Sequence, residues 1–371
     1  MKETKTKKSA LGRAILMTVV FTALIIAAAV FTDGSGGGAV ERLFGGGADT
    51  SFSYDVTGNA ARGGVGDSLA VLSSLELAVY DRDGGVRFSE YCRVSAPVVQ
   101  TAGKYGAAYD AGGGWLCFFT EKGPILTITD SGRIFSASVN KKGWLAVCSE
   151  DEGYLGKVEI YDKDGAAVFR WHAGSGYPLA AAADSGGFTA VTLGEGGSRL
   201  VWFTYGSTEE KASYETGSLV LAVFRDGDAA AAVTEDGLLL FDGRGQLRAS
   251  YDLEGRYLDK FAHGDGYTVL VTGEHRMAEE RTIAVVDGAG AVKGSLPDVT
   301  DVLAVDAAGS RIAVLFRDRA ELFGEDMKSV GEKTGVAGAD AIFVTARGRI
   351  YTAGLYAARN FSVKSAAGGA Q

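Results

Sequence analysis

Repetition along the chain predicts an all-β fold, and three observations carry that prediction. First, eight Gly/Asp-rich turns recur: "VGDS" (65–68), "AGGG" (111–114), "NKKG" (140–143), "DSGG" (184–187), "RDGD" (225–228), "HGDG" (263–266), "DAAG" (306–309) and "TARG" (345–348). Their mean spacing is about 40 residues. Second, each turn leads into a short β-rich run, such as "WLAVCS", "FTAVTL" or "RIAVLF", too short and too apolar for an amphipathic helix. Third, an apolar run closed by an Asp/Gly turn returns as "LAVYDRDGG" (77–85), "LTITDSG" (126–132), "VEIYDKDGA" (158–166), "LLLFDGRGQ" (238–246) and "IAVVDGAGA" (283–291). Four short strands in a unit of about 40–45 residues are the pattern of a β-propeller, whose closure hides all but short sheet edges. Eight turns favour eight blades over seven.

The elements follow in order. Residues 1–13 form a basic tail with five cations (Lys2, Lys5, Lys7, Lys8, Arg13) and one anion (Glu3), a charge of +4. Residues 14–32, "AILMTVVFTALIIAAAVFT", carry no charge. As a helix they would span roughly 28 Å, close to the hydrocarbon thickness of a bilayer. Basic residues before the run and Asp33 after it predict a single transmembrane helix with its N-terminus in the cytoplasm and all later residues outside. Ala27 and Ala29 offer a signal-peptidase site, but the run exceeds the roughly 7–15-residue core of a signal peptide, which favours an uncleaved anchor. Residues 33–50 are a Gly-rich tether. Residues 51–365 hold the propeller, and 366–371 are a C-terminal tail. The last unit, "AIFVTARGRIYTAGLYAARNFSVK" (341–364), supplies three strands, and "SFSYDV" (51–56) is an orphan strand ahead of the first unit. Pairing the two would close the ring.

Composition agrees with a packed, turn-rich body. Hydrophobic residues make up 46% and charged residues 22%, while 54 glycines accompany only 4 prolines. The net charge is −9, so residues 14–371 carry −13 once the +4 of the tail is removed. An acidic body argues against nucleic acid as a partner. The three cysteines, Cys92, Cys117 and Cys148, form no C-x-x-C and read as buried free thiols. Cys117 and Cys148 are expected at the same strand position of neighbouring units, on separate sheets.

"GYLGKVEIYDKDGAAVFRW" (153–171), with "YDAGGGW" (109–115) and "GWLAV" (143–147), resembles an uncharacterised family of single-span, membrane-anchored bacterial β-propeller-like proteins. The resemblance implies architecture and topology, and no chemistry.

Motifs for catalysis or metal binding are absent from the sequence pattern. "EHRMAEER" (274–281) lacks the second histidine of a zinc-protease helix. "DRDGG" and "DKDGA" start like calcium loops, but the twelfth positions are Cys92 and Ala173, which are not ligands. They are read as hairpin turns. No G-x-S-x-G elbow occurs. No metal and no cofactor is expected. The candidate contact surface is the pair of connectors "SEDEGYLGK" (149–157) and "WHAGSGYP" (171–178), with Pro97, Pro178 and Pro297 at equivalent positions. Tyr154, Trp171 and Tyr177 would cluster there beside Glu150, Asp151 and Glu152, a combination suited to a protein or cell-envelope glycan. Packing of Trp171 and Tyr177 between blades is the competing reading. The function expected is a non-catalytic binding or scaffold platform held at the cell membrane by residues 14–32. The alternative is a membrane-tethered propeller enzyme acting on envelope glycans.

Overall fold

The computed structural model describes residues 49–130, 132–345 and 348–362, and every regular element within them is a strand. The basic tail, the apolar run 14–32, the tether up to residue 48 and the tail 366–371 lie outside the described residues. Among those described, no helix is long and apolar enough to cross a membrane.

β1 (Thr50–Ser53) comes first. Blade I contains β2 (Ala61–Val65), β3 (Ser68–Leu72), β4 (Glu76–Tyr80) and β5 (Val86–Tyr91), and blade II contains β6 (Pro97–Ala102), β7 (Tyr105–Asp110), β8 (Leu116–Thr120) and β9 (Gly123–Ile128). Blade III holds β10 (Ile134–Val139), β11 (Leu145–Ser149), β12 (Gly156–Tyr161) and β13 (Ala167–Ala173). Blade IV holds β14 (Tyr177–Asp184), β15 (Gly187–Gly194), β16 (Gly197–Thr204) and β17 (Ala212–Thr216). Blade V follows with β18 (Val220–Asp226), β19 (Ala229–Thr234), β20 (Gly237–Phe241) and β21 (Leu247–Asp252). Blade VI has β22 (Tyr257–His263), β23 (Tyr267–Gly273), β24 (Arg281–Asp287) and β25 (Val292–Val299). Blade VII has β26 (Val302–Ala308), β27 (Arg311–Phe316), β28 (Arg319–Gly324) and β29 (Ser329–Thr334). Blade VIII combines β30 (Ala339–Val344), β31 (Arg349–Gly354) and β32 (Ala357–Ser362) with β1. The result is eight antiparallel four-stranded sheets, an eight-bladed propeller.

Neighbouring blades touch chiefly through their first strands, which are therefore innermost, while the fourth strands splay apart. Second strands are buried on both faces, as in β3 and β11, because each lies inside its sheet and between two other blades. Eight apolar clusters fill the eight seams, one to each pair of neighbours. The seam between blades III and IV is the most aromatic, with Phe188 and Phe203 stacked at 4.7 Å.

Asp-x-x-Gly has a local cause. In blade III, Asp162 Oδ1 accepts from the backbone N–H of Asp164 (3.0 Å) and of Ala166 (2.9 Å), fixing the turn between third and fourth strands. Gly165 then takes φ +80°, a left-handed conformation that costs glycine least. Asp81, Asp242 and Asp287 make the same pair of bonds in blades I, V and VI. These motifs are hairpin turns, as the sequence predicts.

Ring closure also follows the sequence, with tighter bounds. β1 pairs with β32 from Thr50↔Asn360 to Ser53↔Ala357. Only four residues of "SFSYDV" and its neighbour are strand, but Tyr54 stays buried beyond it, donating its N–H to Tyr356 O at 3.0 Å.

Blade II corrects the predicted phase by one strand. "AGGG" joins β7 to β8, its second and third strands, and "LTI" belongs to β9, its fourth. The first-to-second turn of this blade is Gly103–Lys104, two residues without the Asp that marks most others. The neighbouring AGGG run matches the repeat better than this turn does. Cys117 consequently sits on a third strand (β8) and Cys148 on a second (β11), so the two do not share a position. Their sheets are separate, and all three thiols are free and buried.

Candidate functional site

Strand direction divides the propeller into two faces. One carries the first-to-second and third-to-fourth turns, and is called here the turn face. The other carries the second-to-third and fourth-to-first connections. The segments 149–157 and 171–178 bridge β11 to β12 and β13 to β14, so both belong to the second face. Pro97 and Pro178 open innermost strands on that face, but Pro297 does not: it lies within the outer strand β25.

The connectors come together through backbone contacts. Leu155 N donates to Ala173 O at 3.0 Å, and Pro178 lies against Gly156 so closely that a Cβ there would fall 2.7 Å from its ring. Tyr154 projects from the tip, half-exposed, its ring 4.9 Å from that of His172. His172 Nδ1 in turn is 2.6 Å from Asp151 Oδ2. Tyr177, also half-exposed, stands at the start of β14. Glu150 and Glu152 are exposed, and Arg133 lies 3.9 Å from Glu150.

Trp171 leaves the cluster. Its ring packs 5.1 Å from Phe203 within the seam between blades III and IV. Alternation along β13 is the reason: Phe169, Trp171 and Ala173 share the seam side, while Arg170 and His172 point the other way. Trp171 thus packs between blades, whereas Tyr177 is half-exposed. His172 is the residue that sequence reasoning missed, although the same period of two would have found it beside Tyr154.

A wider pattern becomes visible only in three dimensions. Among the described residues five tyrosines are exposed, namely Tyr91, Tyr154, Tyr177, Tyr257 and Tyr356. Every one lies on the second face, in a second-to-third connection or at the edge of a fourth-to-first one. Leu75, Leu221, Met277 and Leu355, also exposed, join them there. The remaining exposed large apolar residues, Val86, Val168, Leu247 and Val292, begin outer strands.

The innermost strands carry acids, and each has at least one partner, although Asp184 Oδ2 is buried without a hydrogen bond. Asp184 lies 3.6 Å from Arg225, Asp340 is 3.1 Å from Arg62, and Asp259 meets Lys260 and Arg281 at 2.9 and 3.1 Å. The imidazole of His263, 3.4 Å away, holds the Asp226 carboxyl below the usual range. Asp306 accepts from Val344 N at 2.7 Å, and burial pushes its carboxyl up to about 6. A cavity of about 90 Å³ opens between blades V and VI near Asp226, His263 and Tyr267, where Ala229, Ala230 and Ala231 leave room. It is small against the roughly 300 Å³ at which ligand clefts begin. Among the described residues no group of His, Cys, Asp and Glu is arranged to hold a metal.

Solved structures repeat the fold. BamB from Moraxella catarrhalis is similar at 11% identity, with 84% of this chain and 98% of that one covered and a TM-score of 0.54. Sqt1 of Saccharomyces cerevisiae is similar at 9% identity, with 85% and 98% covered and a TM-score of 0.62. Apo AztD from Citrobacter koseri gives 12% identity, 84% and 92% coverage and a TM-score of 0.52. At such identities the likeness concerns the fold alone. No curated protein matches the chain. From β1 into β30, residues 50–342, the sequence matches the Family of unknown function (DUF5711), and the chain belongs to that family.

Proposed function

We propose that the protein is a membrane-anchored, extracytoplasmic propeller that acts as a non-catalytic binding platform through the tyrosine-bearing face. The gathering of all five exposed tyrosines on one face carries this reading. Tyrosine offers a large, fairly rigid contact area with a polar end, which is why it recurs at binding hot spots. Engaged acids on the innermost strands and the smallness of the blade V–VI cavity support binding over hydrolysis of a glycan.

Anchoring rests on the basic tail and the 19-residue uncharged run that follows it. The point of attachment suits the proposal. β1 runs antiparallel to β32, so the chain joins the ring at Thr50 on the turn face, where Thr50 Oγ1 bonds Arg82 O of the blade I turn.

One experiment tests both parts. A photo-crosslinking amino acid is placed at Tyr154, Tyr177 or Tyr356, and on the turn face at Lys163 or Arg244, in the full chain in cells. Crosslinked partners are expected from the tyrosine positions only, and only in the membrane fraction. Crosslinks confined to the turn face, or full-length protein in the soluble fraction, would overturn the proposal.

A further inference from the structure

We infer that the tip of blade III, beside blade IV, receives a Lys- or Arg-bearing segment of a protein partner. The inference rests on the platform reading of the same face. Its basis is charge complementarity joined to exposed aromatic surface.

The connections of the tyrosine-bearing face hold fourteen acids against five arginines among the described residues, a net charge of −9. Those of the turn face hold thirteen acids against nine lysines and arginines, a net of −4. The excess is densest at Glu150, Asp151 and Glu152. Asp151 is occupied by His172, and Glu150 has Arg133 only at 3.9 Å, with both side chains largely exposed. Glu152 has no cation within ion-pair distance among the described residues. Arg170, whose main partner is Glu159, also feels the charge of Asp151. Three successive carboxylates thus outnumber the cationic charge near them, and they project a negative field beyond the surface.

Tyr154 follows these carboxylates two residues on, and Tyr177 is exposed at the start of β14 on the same face. A tyrosine ring attracts a cation over its face and offers apolar surface to the stem of a lysine or arginine. Rings and carboxylates together therefore suit a cationic side chain better than either alone. An acidic peptide or an anionic lipid headgroup would be repelled here. A neutral glycan would use the rings and leave the carboxylates without a partner, so it is the competing occupant to be tested.

The probe is a fluorescein-labelled, unstructured peptide of about twelve residues alternating Lys and Ser, titrated against the full chain in detergent micelles at low salt. Control peptides replace Lys by Gln or Glu. Neutralising the tip with Glu150→Gln, Asp151→Asn and Glu152→Gln is expected to weaken binding about tenfold, and Tyr154→Ala with Tyr177→Ala comparably. Tyr154→Phe should restore most of the loss in a variant that keeps Tyr177, since the ring is what the cation uses. Glu325→Gln with Asp326→Asn, on the turn face, should change affinity less than about twofold. Unchanged melting temperatures show that the variants fold. Equal binding of the Gln peptide, an equal loss from the turn-face variant, or displacement of the peptide by a chitooligosaccharide would each overturn the inference. If no peptide binds while crosslinks from Tyr154 persist, the cationic partner falls and the platform stands. Loss of both rejects both.

Discussion

Asp306 shows how one side chain can make the ring sensitive to pH. It lies on β26 and bridges to blade VIII by accepting from Val344 N. Burial raises its carboxyl to about 6, against the pull of the Val344 and Ala307 N–H groups. A carboxyl raised on folding holds more protons in the folded than in the unfolded state between about pH 4 and 6, so stability falls as pH rises through that window. Asp306→Asn should remove this penalty. Against wild type it is expected to be more stable by up to about 3 kcal/mol at pH 7, and indistinguishable near pH 3.5. Denaturant titrations at the two pH values check this, and a constant difference at both would refute it. The sequence marks Asp306 only as the first residue of the DAAG turn, because its buried environment is made by blade VIII, some forty residues away in the chain. The cysteines were legible in kind, since an odd number without C-x-x-C leaves free thiols. Burial lifts Cys92 to about 11 and both Cys117 and Cys148 to about 12, which leaves them inert at neutral pH.

At the scale of the element, what can be read from the sequence is what is decided locally. The turn at Asp162–Gly165 is such a case, since the Asp side chain, the backbone it bonds and the left-handed glycine lie within five residues. Gly165→Val is expected to destabilise the protein by about 1–3 kcal/mol through backbone strain. Contact adds to it, for a Cβ at Gly165 would lie 3.1 Å from Ile125 Cγ2 of blade II. A lowered urea midpoint with an unchanged slope is the expected result. Blade II was misphased because its Gly103–Lys104 turn carries no Asp, while the neighbouring AGGG mimics the repeat. The site was half legible for a related reason. A strand's period of two separates Trp171 from His172, but which side is seam and which is solvent depends on blade IV.

At the scale of the whole molecule, repeat counting yields the number of blades, and the leftover strand at each end yields the closure. The clustering of tyrosines was not legible, because Tyr91, Tyr154, Tyr177, Tyr257 and Tyr356 are far apart in sequence and share only a face. Closure predicts a sharp difference between two truncated chains. One starting at residue 46 retains β1 and should unfold cooperatively. One starting at residue 58 loses the β1–β32 ladder and takes Phe52 and Tyr54 out of the blade VIII–I core, so it should melt earlier and more broadly, or aggregate through the exposed edge of β32. Identical melting curves would show that β1 is dispensable. The place where the chain joins the ring has a mechanical consequence. β1 runs along the outer edge of blade VIII from the turn face towards the opposite face, so a force applied at Thr50 along the strand axis loads the whole strand. Its four pairs with β32 then bear the load together, in shear, rather than parting one after another like a zipper. The shortest outer strand is thus the latch of the ring.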